Sequence, residues 1–168
     1  MIRIALLLLL AAFPASAQDI DENAPAIKEI MDKAAAHCVQ NSDPTGPKPH
    51  LIVEPAAITW TDLDGGEEPN DTVIDFNYIL CSMNYSLWHG SGGSYMHFVL
   101  NGETSAAWTG GNWRVIEMGG KPLILFGRHG GYCDSFGARG CVQAVVADEE
   151  GFWVVTEPLP LPLTDQFD

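Results

Sequence analysis

The pattern of apolar and polar positions predicts one helix near the start of the chain. Apolar residues recur at three- or four-residue spacing from Ile27 to Cys38, which places them on one stripe of a helix over residues 24–38. Asn23 can cap this helix, and Pro25 is tolerated in its first turn. The stretch 41–49, rich in Pro, Asn, Ser and Gly, ends it.

From residue 51 onward the chain reads as short strands separated by turns. Turn residues stand between the segments, and Asn101-Gly102 is a strong hairpin signal. Short strands at roughly 8–12-residue spacing predict a mainly β fold, either an antiparallel meander or a small barrel, with the N-terminal helix packed on it. The predicted strands cover residues 51–53, 57–61, 72–80, 95–100, 104–108, 113–118, 122–126, 141–147 and 152–156.

The chain divides into a single β-rich domain over residues 24–157 and flanking segments of different composition. Residues 1–17 combine Arg3, an apolar run and a small-x-small site at Ala15-Ser16-Ala17, which is typical of a secretory signal peptide. The apolar run is too short to span a bilayer. Residues 18–23 form an acidic tail, and residues 158–168 a Pro-rich tail typical of polyproline II. We therefore expect a periplasmic or secreted protein with no membrane span.

Four cysteines in an exported chain predict two disulfides. Cys133 and Cys141 flank a Gly-containing loop, and of the three possible pairings local closure favours this pair. Cys38 is then left with Cys81.

Composition and charge narrow the class of partner. The 168 residues carry 22 Asp and Glu against 8 Lys and Arg, a formal net charge of −14, so a nucleic-acid partner is not expected. Hydrophobic residues make up 46% of the chain, enough for a real core in one domain. The negative charge would steer the protein toward a cationic partner.

An acidic segment at residues 61–72 is the candidate metal site. Asp62, Asp64, Glu68 and Asp71 offer the carboxylate oxygens that Ca²⁺ prefers. The spacing departs from the calcium-loop pattern, because a Gly occupies one ligand position and Val73 stands where the last Glu should be. The pattern therefore favours a solvated acidic turn, with calcium binding as the alternative, and no other cofactor is expected.

Two further loops carry candidate functional residues. His89 and nearby serines lie among glycines in residues 88–94, but this segment does not match the G-x-S-x-G nucleophile motif. The loop 128–141 gathers residue types enriched where binding energy concentrates, and we predict it to be the functional surface. The alternative is that its side chains close a strand end. Its candidate binding residues are Arg128, His129, Tyr132, Phe136 and Arg139.

These motifs resemble a family of small uncharacterised exported proteobacterial domains. The resemblance rests on the Asp62-x-Asp64-Gly65 loop, the strand ending in Cys81, the Gly/Ser-rich loop after His89, and the His129-Gly-Gly-Tyr-Cys segment with Cys141. His89 and Ser94 stand where the relatives have a cysteine pair, so a loop disulfide of that kind is not expected. The resemblance implies an exported bacterial domain and brings no established activity.

The sequence thus favours a binding or accessory domain over an enzyme, and no residue is predicted to be catalytic. The partner is a protein or a small ligand that the sequence does not name. One alternative is a secreted inhibitor of a cationic hydrolase such as a lysozyme. A second alternative is a small secreted hydrolase that uses His129 or His89.

Overall fold

The computed structural model describes residues 24–66, 70–137 and 139–155, and the backbone of 159–160. It confirms a mainly β protein with one helix, antiparallel sheets and two disulfides. The elements are α1 Pro25–Gln40, β1 Leu51–Val53, β2 Ile58–Thr61, β3 Asp71–Asp75, β4 Ile79–Cys81, β5 Ser94–Leu100, β6 Thr104–Gly110, β7 Asn112–Met118, β8 Lys121–Arg128, β9 Cys141–Asp148, β10 Gly151–Val154 and β11 Leu159–Pro160, with 3-10 turns at Phe76–Tyr78 and Gly130–Tyr132.

Helix α1 buries the predicted stripe but begins without the predicted cap. Ile27, Ile30, Ala34 and Cys38 are buried, as the spacing requires. The cap position belongs to Ala24, so the prediction of Asn23 is wrong, and Asn23 itself lies outside the described residues. A tertiary contact replaces a side-chain cap, because the Ala26 N–H donates to the Gly102 carbonyl at 3.0 Å.

The strands form three antiparallel sheets. β1 pairs with β4, and β2-β3-β5-β6 form a four-stranded sheet that we call the middle sheet. β10-β9-β8-β7 form the outer sheet, with β11 also pairing with β9. Among the described strands these sheets remain open, so the barrel alternative is wrong and the meander describes the order of both large sheets.

The predicted strand 72–80 is broken in the middle. Asp75 Oδ1 accepts hydrogen bonds from the Asn77 backbone N–H at 2.9 Å and from its side-chain amide at 2.7 Å. These bonds stabilise the 3-10 turn Phe76–Tyr78, so β3 stays in the middle sheet while β4 leaves to pair with β1. In the predicted polyproline tail, the described residues Leu159–Pro160 instead pair with β9.

Three layers result, with a core between each pair of neighbours. One cluster joins α1 to the middle sheet through Ile27, Ile74 and Val99. The second joins the middle sheet to the outer sheet around Phe98, which is fully buried. Four aromatic rings have their centroids 5.6–6.5 Å from that of Phe98: those of Trp108, Trp113, Phe126 and Phe152.

Both predicted disulfides are confirmed. Cys38–Cys81 joins the last turn of α1 to β4, and Cys133–Cys141 closes the loop that precedes β9. Across the described part of the chain, no helix has both the length and the apolar character needed to cross a bilayer.

Candidate functional site

The loop between β8 and β9 presents the predicted binding residues. Arg128 and Cys141 are paired at the base of this loop, and β8 and β9 are the two inner strands among β7 to β10. The base is therefore held by strand pairing on both sides, while Cys133–Cys141 restrains the loop itself. We call Arg128, His129, Tyr132, Phe136 and Arg139 the β8–β9 loop surface.

Arg128 is a fixed cation in this surface. Its guanidinium carbon lies 4.4 Å from the centre of the Tyr132 ring, a cation–π distance. Its Nη1 donates to Gln143 Oε1 at 2.6 Å, while its Nε is buried without a hydrogen-bond partner. Burial lowers the pKa of Arg128 and the nearby Tyr132 raises it, but an arginine stays protonated at neutral pH.

His129 orders the loop through its ring. Nδ1 accepts from the Gly131 backbone N–H at 3.2 Å and so caps the 3-10 turn Gly130–Tyr132. The other ring nitrogen packs against Gly137, where an added Cβ would lie 2.3 Å away. The imidazole is thus held in one orientation, and Nε2 carries the proton when the ring is neutral.

Two aromatic side chains of this ordered loop face solvent. Tyr132 is 47% exposed and Phe136 is 64% exposed. The backbone around Phe136 is fixed, because the Arg139 N–H donates to the Phe136 carbonyl at 2.9 Å. Gly130 packs beneath the same carbonyl, and a Cβ there would lie 1.9 Å from it. The loop therefore displays an apolar ring on a restrained backbone.

The Gly/Ser-rich loop meets the β8–β9 loop surface. A Cβ built on Gly92 would lie 3.7 Å from atoms of both His129 and Tyr132. Residues of both loops line a hollow of about 560 Å³, and glycines form much of its wall. The structure thus brings together two segments that lie about forty residues apart in the sequence. The lining includes Ser91, Gly92, Gly127, Arg128, His129 and Gly137.

His89 does not share this hollow. Its Nε2 lies 3.2 Å from the Ile79 carbonyl oxygen, and the ring is half-buried. The Ser94 hydroxyl donates to the Trp88 carbonyl at 2.9 Å instead of to an imidazole. His89 thus contacts β4, and Ser94 bonds within the Gly/Ser-rich loop.

Three of the four predicted metal-binding carboxylates come together. One oxygen from each of Asp62, Asp64 and Asp71 lies within 4.8 Å of the other two, which suits oxygens around a single Ca²⁺. The fourth, Glu68, lies outside the described residues. Asp71 is buried and accepts from the backbone N–H groups of Leu63 and Asn101, at 2.8 and 3.0 Å. Burial raises the pKa of Asp71 more than these bonds lower it.

The sequence did not predict a groove that lies between α1 and the middle sheet. It measures about 450 Å³, and its walls include His37, Trp88 and His97. Trp88 Nε1 donates to His37 Nδ1 at 3.2 Å, which links the loop after β4 to the helix. Burial and the charge of Lys33 lower the pKa of His97. Helix spacing places residue 37 beside the buried stripe, but nothing in the sequence pairs it with residue 88.

Comparisons with known proteins found no match: no family model, curated protein or solved structure matches this chain. The resemblance to exported proteobacterial domains therefore stays a prediction.

Proposed function

We propose that this protein is an exported, disulfide-stabilised binding domain whose partner docks on the β8–β9 loop surface. The observation that carries the proposal is the exposure of Tyr132 and Phe136 on a loop whose backbone is restrained. A restrained loop loses little conformational entropy when it binds. Tyrosine and arginine are also enriched among residues that dominate binding energy.

Export is supported by the cysteines and by the N-terminal sequence. The protein has two disulfides, and disulfides form and persist in oxidising compartments such as the periplasm. Residues 1–17 have the composition of a secretory signal. We expect the protein from the periplasm or culture medium to begin at Gln18, which N-terminal sequencing measures.

A binding role fits the two histidines better than a hydrolytic role does. A general base must reach the proton of a nucleophile through a free ring nitrogen. His129 uses Nδ1 to cap the turn and packs Nε2 against Gly137. His89 has Nε2 beside the Ile79 carbonyl, and the hydroxyl of nearby Ser94 donates to the Trp88 carbonyl instead of to an imidazole. These contacts favour structural roles, so we propose no catalytic residue.

The test compares two doubly substituted proteins in a pull-down. Tyr132→Ala/Phe136→Ala removes both exposed rings of the proposed surface, while Tyr78→Ala/Tyr85→Ala removes two rings elsewhere that are 41% and 61% exposed. Immobilised wild type and both variants are incubated with periplasmic extract at low and high salt. We expect the partner to be lost from the first variant and kept by the second. Equal recovery by both variants would contradict the proposal.

Charge favours a cationic hydrolase as a second class of partner. The formal net charge is −14, and Asp64 lines a groove of about 430 Å³ together with Asp148, Glu149 and Glu150. A basic enzyme such as a lysozyme would be attracted to this face at low salt. Titrating the protein into a lysozyme activity assay tests this class directly. Inhibition that weakens with added salt supports it, and unchanged activity removes it.

A further inference from the structure

The outer sheet has one face toward the core and an opposite face that is exposed in part. Trp113, Ile124 and Val145 belong to the core with the middle sheet. Because side chains alternate along a strand, their neighbours point to the opposite face. We call this opposite side the outer face. Its residues are Asn112, Arg114, Ile116 and Met118 of β7, Lys121, Leu123, Leu125 and Gly127 of β8, Val142, Ala144, Val146 and Asp148 of β9, and Trp153 of β10, continued by Val155.

The outer face is apolar where a solvated sheet is ordinarily polar. An antiparallel sheet with one face in water shows polar residues on that face. Here Ile116 is paired with Leu123 across β7 and β8, and Val146 is paired with Trp153 across β9 and β10. Ile116, Met118, Trp153 and Val155 are 37%, 61%, 50% and 49% exposed. Leu123 and Ala144 on the same face are only 6% and 7% exposed, so these four side chains form its exposed apolar part. An exposed apolar patch of this kind marks an interaction site.

One end of the outer face has a hollow, and the other end has the projecting side chain of Met118. Gly127 has no side chain, and a hollow of about 330 Å³ opens beside it, lined also by Asn112, Arg114 and Val142. Met118 projects at the other end of β7. A twofold axis in the plane of the face, perpendicular to the strands, would lay the Met118 end of one copy over the hollow of the other. Methionine suits this role because its flexible side chain fills irregular gaps.

Charge favours the same pairing. The outer face carries Arg114, Lys121 and Asp148, a local charge of +1 in a chain of −14. Asp148 accepts a hydrogen bond from Trp153 Nε1 at 2.9 Å, and the charge of Lys121 lowers its pKa further. Contact through this face keeps the acidic surfaces of two copies apart better than contact through the Asp62 loop would.

We propose that the outer face binds a second copy of this chain, so that two outer sheets stack in a twofold dimer. The four strands hold 7, 8, 8 and 4 residues, which at about 3.4 Å per residue and about 4.8 Å between strands give a footprint of roughly 440 Å² per copy. Both copies together bury roughly 900 Å², below the roughly 1,200 Å² at which specific interfaces usually begin. The expected dimer is therefore weak and depends on protein concentration.

Sedimentation velocity on the purified protein tests the dimer. Samples from low to several hundred micromolar are compared at low and high salt. We expect a monomer–dimer equilibrium that strengthens with salt, because screening reduces repulsion between two chains of −14. A contact driven by opposite charges would weaken instead.

Substitutions locate the interface. Met118→Asp places a charge on the outer face at a position 61% exposed, and Met83→Asp makes the same change at a position 40% exposed after β4. We expect Met118→Asp to weaken the dimer by about tenfold or more and Met83→Asp to leave it unchanged. Ile116→Lys serves as a second variant, and circular dichroism checks that each variant is folded.

Three results would overturn the proposal. The first is a protein that stays monomeric throughout the range in both salts. The second is a dimer that Met118→Asp and Ile116→Lys leave intact. The third is a dimer that forms only after residues 161–168 are removed, because the chain's own C-terminal residues would then be the occupant of the outer face.

Discussion

Removing the two disulfides separately should destabilise the protein to different extents. Cys38–Cys81 closes a loop of 43 residues, and Cys133–Cys141 closes a loop of 8. A crosslink stabilises the folded state largely by restricting the unfolded chain, and a longer loop is restricted more. The perturbations are the paired variants Cys38→Ala/Cys81→Ala and Cys133→Ala/Cys141→Ala.

The loop lengths set the magnitudes. The chain-entropy relation gives about 4.0 kcal/mol for the long loop and about 2.5 kcal/mol for the short one. All four cysteines are buried, so the packing lost with each sulfur is similar in the two variants. The difference between the variants should therefore be about 1.5 kcal/mol. That difference is measurable in a domain whose total stability is on the order of 5–15 kcal/mol.

Equilibrium urea denaturation measures the free energy of unfolding of both variants against wild type. Hydrogen exchange then shows where each change acts. We expect faster exchange in residues 130–140 for the short-loop variant, and near the end of α1 for the long-loop variant. Equal destabilisation, or a larger loss from the short loop, would refute the entropic reasoning and point to native-state contacts instead.

Two further predictions concern titration and metal binding. In the folded state the pKa of His97 lies below its ordinary value of 6.5. The free energy of unfolding is therefore highest above pH 6.5 with respect to this group, and it falls as the pH drops through the pKa of His97 in the folded state. His97→Phe should reduce this loss, measured by urea denaturation at pH 7 and 5, while the raised pKa of Asp71 acts with the opposite sign and stays in both proteins. The cluster of Asp62, Asp64 and Asp71 is expected to behave as a solvated turn. The melting temperature of the protein should therefore be unchanged by about 10 mM calcium. A rise that Asp64→Asn abolishes would establish calcium binding instead.

Local sequence signals predicted the elements whose stability is local. The spacing of Ile27, Ile30 and Ala34 located α1, because a helix repeats every 3.6 residues whatever it packs against. Asn101-Gly102 located the turn between β5 and β6, where both residues have positive φ. The pairing of Cys133 with Cys141 followed from the short loop that separates them.

The same reasoning failed where a distant contact decides the outcome. The segment 72–80 alternates and is rich in β-forming residues, so it looks like one strand, yet Asp75 and Asn77 turn the chain so that β4 reaches β1. At the start of α1, the Ala26 N–H donates to the carbonyl of Gly102, far along the chain, instead of to a neighbouring side chain. Sequence spacing carries no information about either partner.

For the candidate site, the sequence determined which residue types gather on the loop 128–141 and which cysteines hold it. Only the tertiary structure decided that Gly92 of another loop packs against His129 and Tyr132, because that contact depends on how the middle and outer sheets are stacked. Only the tertiary structure also decided which face of the outer sheet packs on the middle sheet. Alternation along β7 and β8 sorts side chains into two sets, but the layer that covers one set comes from β5 and β6.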